Sequence, residues 1–576
     1  MSADFEVVGA NEAAPFTLKV HRGEGMALLA MNWKEGRPPP ELVGFAIQYK
    51  EPGGDRFFVL QNRLGFTPPD PSAERPWLPT TLAPIQKFRW VHFPRNAELS
   101  GDFVYQVTPV FMNEHDELSY GDMQEVALEL RRDTYPGQLN IGFTRGFVSS
   151  QAFVDRYESA GPISTLLPAS AREGLKFKPT HPQAADAYEW MGFEAFSAIL
   201  QVLDDAIADA QASVRVIAYD LNEPEIVSRL EQLGTRVKVI IDDSGSASDP
   251  SSHRFAESAE NQAEQRLLAT AEGVKRQHVG NLQHNKTIIV DGPQRQVVVW
   301  GSTNLSWRGF FIQANNAVVV YGETAVKLAV DAFEEYWQHE NDAAGFAATQ
   351  PAHLAGIGFA DIDAQVAFSP HGADTALLDV IARDISDNTT SSVLYSLAFL
   401  YQTTGPVRTA IEKVTADDNI FVYGMSDRPV DGLDLQRPNG NPAPVSPAAL
   451  NDNVPPPFRV EPSGGGGIRL HHKFVVIDFD QPTGRVYTGS YNFSDPADTA
   501  NGENLLVIKD RRVAVAYAVE ALRLFDHYHF RLTKRTKEEA GEPLVLTKPP
   551  RAPNEQPWWQ PYWEDRTKIR DREMFA

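Results

Sequence analysis

The chain has 576 residues, a formal net charge of −23, 42% hydrophobic and 22% charged residues, and no cysteine. Disulfides, thiolate catalysis and zinc–thiolate sites are therefore excluded. The charge works against whole-surface attraction to nucleic acid or anionic membranes. It leaves room for a local basic cleft, because exposed charges more than about 10 Å apart are largely screened.

At ~150 residues per domain this length predicts three or four units. The segment from Met1 to Phe16 is acidic and polar, without the basic start and apolar core of a signal peptide. No uncharged apolar run approaches the ~18 residues of a spanning helix. These features read as a cytoplasmic protein, although export by a signal-independent route would leave no trace. Residues 1–132 predict a β-sandwich of the immunoglobulin or fibronectin III kind. Phe45–Tyr49 and Phe103–Val107 alternate at the strand period, and Pro- and Gly-rich turns such as Gly36–Pro40 and Pro52–Asp55 separate the runs.

From about residue 190, strands and helices alternate. Phe196, Ile199, Leu200, Leu203 and Ile207 mark one helical face. The strand Val214–Tyr219 follows, then a helix around Ile226–Leu233 ended by Gly234, then the strand Val237–Ile241. The order recurs with a helix around Leu377–Ile385, strand Val393–Leu397, a helix around Val407–Val414 and strand Ile420–Tyr423. The expected fold class is α/β, with two duplicated halves over 145–350 and 351–535 after the β-sandwich. Right-handed crossovers would make each half a largely parallel sheet. A Pro- and Gly-rich insertion, 437–467, reads as a surface loop near the site. The tail, 536–576, carries Trp558, Trp559, Tyr562 and Trp563 and is expected to dock on the body of the protein. His527 and His529 are expected to pack on an amphipathic segment rather than bind metal.

The most informative feature is a repeated pattern. His284-Asn285-Lys286 followed by Asp291, and His471-His472-Lys473 followed by Asp478, lie 187 positions apart. Each runs into a Gly-Ser-x-Asn turn: Gly301, Ser302 and Asn304, then Gly489, Ser490 and Asn492. Alternate residues of a strand share a face, so each His and Lys can point the same way, and His472 to the opposite side. Brought together, the copies supply two histidines, two lysines, two asparagines and two serines. This set suits phosphodiester cleavage without a metal or other cofactor. Lys and Asn would stabilise phosphoryl oxygens, one histidine would attack phosphorus, and the other would serve as acid and base.

These residues resemble the phospholipase D superfamily, whose mark is two H-x-K-x4-D units each followed by G-S-x-N. The resemblance covers roughly residues 145–535. It implies two α/β halves sharing one site and a reaction through phosphohistidine, with catalysis assigned to His284 and His471. Lys286, Lys473, Asn304 and Asn492 would bind phosphate, with Ser302 and Ser490 in support. Asp291 and Asp478 are expected to be structural. Family members often carry an acid after the turn that orients a catalytic histidine. Glu503 fills that place in the second half, and Asn315 replaces it in the first. The histidines should therefore differ in pKa. His284 is taken as nucleophile by resemblance to bacterial-type two-motif members.

The expected activity is a phosphoric diester hydrolase acting on glycerophospholipid head groups, with transfer to alcohols open. The alternative is a metal-independent nuclease, since Gly489 to Asn504 resembles the family's small bacterial endonucleases. The expected partner is a phosphodiester, phospholipid or nucleic acid, and a monomer suffices because both halves lie in one chain.

Overall fold

The computed structural model describes residues 5–68, 77–130, 133–146, 150–428, 430, 469–539, 541 and 543–576. The insertion expected at 437–467 lies outside them. The chain forms two compact units: one built from residues 1–132 and 515–576, the other from 133–435 and 443–514.

In the first unit, one sheet contains the antiparallel strands Glu6–Val8, Phe16–Arg22, Ala27–Trp33 and Arg89–His92. A second contains Leu42–Lys50, Phe57–Val59, Asp102–Met112, Leu118–Tyr120 and Gln124–Glu129. Phe16, Leu18, Val20 and Leu29 from the first sheet share one core with Phe45, Ile47, Phe103, Tyr105 and Val107 from the second. This is a β-sandwich, as the alternating runs led us to expect. The aromatic tail completes it. Trp559 and Tyr562 enter the same core, Trp558 stacks on Phe88 at 5.2 Å, and Trp558 Nε1 donates to the Leu42 carbonyl at 2.8 Å. On the helix Arg511–Glu539, His529 stacks on the Phe525 ring at 5.7 Å.

The second unit holds the duplicated α/β halves. In the first half the strand order is Leu139–Phe143, Asn316–Tyr321, Gln296–Gly301, Lys286–Asp291, Ser213–Ala218, Val237–Asp242 and Gly273–Gln277. In the second it is Ala355–Gly356, Asp363–Ser369, Glu503–Lys509, Arg485–Gly489, Lys473–Ile477, Ser392–Leu397 and Phe421–Met425. The common sequence of strands is the same in both.

The sheets are not largely parallel. Among the described residues, only Ser213–Ala218, Val237–Asp242 and Gly273–Gln277 run parallel in the first half, and only Ser392–Leu397 with Phe421–Met425 in the second. Each motif strand is antiparallel to both of its neighbours. The reason is local: the motif strand and the next one are joined by a hairpin, and tight hairpins join only antiparallel strands. The helices Pro224–Leu233, Leu378–Asp387 and Pro406–Ala416 form where periodicity placed them. Gly234, at φ 60°, ends the first of these. No helix among the described residues is long and apolar enough to cross a membrane.

Candidate active site

Each motif strand begins at its lysine, Lys286 or Lys473, and is buried throughout its apolar run. The histidine precedes the strand on a segment anchored from two sides. A carboxylate grips the backbone just upstream. Asp242 Oδ1 accepts from Gln283 N at 2.6 Å, and Asp427 Oδ1 accepts from Leu470 N at 3.0 Å. The opposite half adds a short parallel bridge, Gln283 with Gly502 in one case and Leu470 with Ala314 in the other. Each histidine is thus placed partly by the half that does not contain it.

The side chains follow the same crossed rule. His284 Nδ1 lies 2.7 Å from Glu503 Oε2, and His471 Nδ1 lies 2.9 Å from Asn315 Oδ1. Outside these pairs, Asn504 Nδ2 donates to Asn285 Oδ1 at 2.9 Å, and Asn316 Nδ2 lies 3.3 Å from His472 Nδ1. His472 faces away from the lysines, between Phe143 and Phe474. The ring centroids of His284 and His471 are 6.2 Å apart.

His471 Nδ1 also faces the Ser302 carbonyl at 3.2 Å. Two acceptors around Nδ1 require it to carry the hydrogen, which leaves the Nε2 lone pair free. Asn315 cannot be reversed, because its Nδ2 donates to the Gly309 carbonyl at 2.9 Å.

The lysines are drawn back toward their own strands. Lys286 Nζ donates to the His284 carbonyl and lies 4.9 Å from the Tyr219 ring centroid. Lys473 Nζ donates to the His471 carbonyl at 2.8 Å and lies 5.6 Å from Phe399. Both are almost wholly buried. Burial pushes Lys286 down to about 7 and Lys473 well below its ordinary value. Burial, aided by the two lysines, also holds both histidines well below theirs. It pushes Glu503 up to about 8, against the pull of Lys286 and Lys473.

Gly301 and Gly489 make the close approach of the Gly-Ser-x-Asn turns to the next strand. At φ 125° and 132°, a Cβ would come within 2.5 Å of Asn316 O and 2.3 Å of Asn504 O respectively. The serine hydroxyls are engaged inside the protein rather than offered to a ligand. Ser302 Oγ donates to Asn315 Oδ1 at 2.9 Å and accepts from Asn316 N at 3.0 Å. Ser490 Oγ accepts from Asn504 N at 2.9 Å, and Ser490 also hydrogen-bonds the Glu503 carboxylate. Each serine thus holds the group that holds a histidine. Asn304 Nδ2 donates to Asp220 Oδ2 at 2.8 Å, and the Oδ1 atoms of Asn304 and Asn492 are buried without a donor among the described residues.

The two motif aspartates differ. Asp478 is fully buried and accepts from the backbone amides of Thr390, Ser391 and Ser392 at 3.0, 2.8 and 3.2 Å. Asp291 is partly exposed, and its carboxylate accepts only a 3.5 Å contact from Gln296. Sequence reasoning missed Asp242, Asp427, Asp220 and Arg308. The last adds to the positive field on His471. Asp242, at the end of Val237–Asp242, was the most readable of these, since an acid closing an apolar strand invites a capping role.

Residues 203–337 and 457–525 match the family model described as "Cardiolipin synthase, PLD-like domain". The chain carries a phospholipase D superfamily core. This agrees with the resemblance read from the two motifs. The core is 43% identical over 47 residues to a phospholipase D of Rickettsia felis, covering 8% of this chain and 22% of that protein. It is 41% identical over 59 residues to a mitochondrial cardiolipin hydrolase of Xenopus tropicalis, covering 10% and 26%. The chain thus spans about a quarter of the length of these curated relatives. Among solved structures, the phospholipase D family member Nuc of Salmonella typhimurium aligns at 28% identity over 24% of this chain and 84% of that one, with a TM-score of 0.20. A phosphatidylserine synthase of Haemophilus influenzae Rd KW20 aligns at 11% identity over 65% and 92%, with a TM-score of 0.37.

Proposed function

We propose that this core is a phosphodiesterase working through a covalent phosphohistidine, with glycerophospholipid head groups as its favoured substrates. The observation that carries the reading is the facing histidine pair: rings 6.2 Å apart, with Nδ1 of each held by a group from the opposite half. We read the pair as flanking one phosphoryl group.

His284 is the nucleophile, because Glu503, whose ionised form Lys286 and Lys473 favour against burial, stabilises positive charge growing on the ring as the bond to phosphorus forms. Its Nε2 lone pair makes the N–P bond while the P–O bond to the leaving group breaks. His471 donates a proton from Nε2 to that leaving oxygen. It gains this proton in the complex, where the bound phosphate offsets the burial and the neighbouring lysines that hold its pKa down. Neutral His471 then takes a proton from water, the water oxygen bonds to phosphorus, and the N–P bond breaks. The products are a phosphomonoester and an alcohol. Another alcohol in place of water would give transfer. Lys286, Lys473, Asn304 and Asn492 hold the equatorial oxygens, while Ser302, Ser490 and Asn315 position.

The net charge of −23 favours a lipid over a polyanionic nucleic acid. The names of the curated relatives, phospholipase D and cardiolipin hydrolase, point the same way. The test is hydrolysis by wild type, His284→Ala and His471→Ala, in EDTA, of phosphatidylcholine/phosphatidylglycerol micelles and of single-stranded DNA. Head-group release abolished by both substitutions is expected. DNA cleavage with the same dependence and no lipid turnover would make the protein a nuclease instead.

A further inference from the structure

One cluster beside the site makes no bond to the reacting groups in this mechanism and has no counterpart among the described residues of the second half. Asp220 follows the strand Ser213–Ala218, His253 lies in the Ser-rich loop after Val237–Asp242, and Glu260 stands in the first turn of the helix Ala259–Leu267. One ligand atom from each, a nitrogen and two carboxylate oxygens, lies within 4.8 Å of the other two.

Two further observations point to a cation. The first is Glu260, only 4% exposed. Among the described residues it makes no ion pair. Its hydrogen bonds come from backbone amides alone, its own and that of Leu221 at 3.5 Å. The imidazole of His253, within 4.8 Å of it, already engages Asp220 at 3.2 Å and Asp242 at 2.7 Å, so a single ring faces three carboxylates. The second is the orientation of His253. Its Nδ1 is held at 2.7 Å by the fully buried Asp242, which turns Nε2 toward Asp220 at 3.2 Å. A carboxylate on the far nitrogen is the outer partner that fixes the ring of a metal-ligating histidine.

We propose that Asp220, His253 and Glu260 bind a divalent transition ion, zinc or manganese. One imidazole and two carboxylates match those ions better than magnesium, which prefers oxygen alone. A tetrahedral ion with bonds of about 2.1 Å spaces its ligands by roughly 3.4 Å, so a small rotation of Glu260 closes the site. The ion is structural: it ties together a strand end, a loop and a helix start. Through Asp220 it also holds the amide of Asn304. It takes no part in bond making, and the inference stands apart from the phosphodiesterase reading.

The test is calorimetric titration of the EDTA-treated, desalted full-length protein with zinc, manganese and magnesium chlorides, paired with thermal melting. One zinc or manganese ion per chain and a raised Tm are expected, with little response to magnesium. His253→Gln and Glu260→Gln, each checked by circular dichroism, should weaken binding by about tenfold or more and lose the rise in Tm. If His253→Gln does not fold, Glu260→Gln alone carries the comparison. No binding of either ion, or equal binding by wild type and variants, would overturn the proposal. The first result would leave His253 as the cluster's own counter-ion, and the second would place the ion elsewhere.

Discussion

Glu503 belongs to the second half of the catalytic unit, yet its Oε2 lies 2.7 Å from Nδ1 of His284 in the first half, 219 residues earlier. The same crossing joins Asn315 to His471. The two histidines therefore sit in related frames with chemically different partners. A carboxylate can balance charge on its ring, whereas an amide only orients one.

This difference predicts unequal costs. Glu503→Gln should lower kcat by about 10²–10⁴-fold, whereas Asn315→Ala should cost at most about 10²-fold through lost orientation. Steady-state kinetics on a lipid or chromogenic phosphodiester measures both. Equal losses would remove the argument that Glu503 marks the nucleophile.

The division of labour can be read from a burst. With bis(p-nitrophenyl) phosphate the leaving group needs no acid. His471→Ala should release about one p-nitrophenol per enzyme and then stall at phosphohistidine, whereas His284→Ala should show no burst. A burst from His284→Ala alone would reverse the two roles.

The pH profile follows from Lys286, which burial pushes down to about 7 in the free enzyme. An amine is charged below its pKa and neutral above it. kcat/KM should therefore fall as pH rises through about 7, where the site loses a phosphate-binding charge. Lys286→Arg keeps its charge at every accessible pH and should move the falling limb upward, even at a reduced absolute rate. An unmoved limb would assign it to another group.

The motif aspartates should separate by stability rather than by chemistry. Asp478→Ala removes the acceptor of three backbone amides at 2.8–3.2 Å, that of Ser392 buried, and should cost about 2 kcal/mol. Asp291→Ala should stay within about 0.5 kcal/mol. Thermal melting of the two variants compares them directly, and equal shifts would show that the hydrogen bonds of Asp478 are not what its position in the motif is for.

Much of this was legible in the sequence because the chemistry is written locally. His284 and Lys286 share a strand face by period alone, and Gly301 and Gly489 announce a close approach. The exchange of partners was not legible. Glu503 and Asn315 were recognised as equivalent positions, but nothing in a linear pattern says which histidine each will meet. That depends on how two sheets face each other. The same limit hid Asp242 and Asp427, whose grip on the amides of Gln283 and Leu470 has no residue signature. The serines, expected in support, have partners a linear pattern does not name: their hydroxyls engage Asn315 Oδ1 and the Glu503 carboxylate and accept from Asn316 N and Asn504 N. The expectation of parallel sheets failed at the hairpin between Lys286–Asp291 and Gln296–Gly301, where a short connection outweighs the α/β habit.

The crossed bridges of Gln283 with Gly502 and Leu470 with Ala314 bear on how the protein matures. The sheets can form from contacts nearer in sequence, but the His284–Glu503 and His471–Asn315 pairs close chain loops of 219 and 156 residues. Contacts of such high order tend to form late. On refolding from denaturant, far-UV circular dichroism should recover before turnover does. A nascent chain would carry His284 and Lys286 for some time before His471 and Glu503 were made.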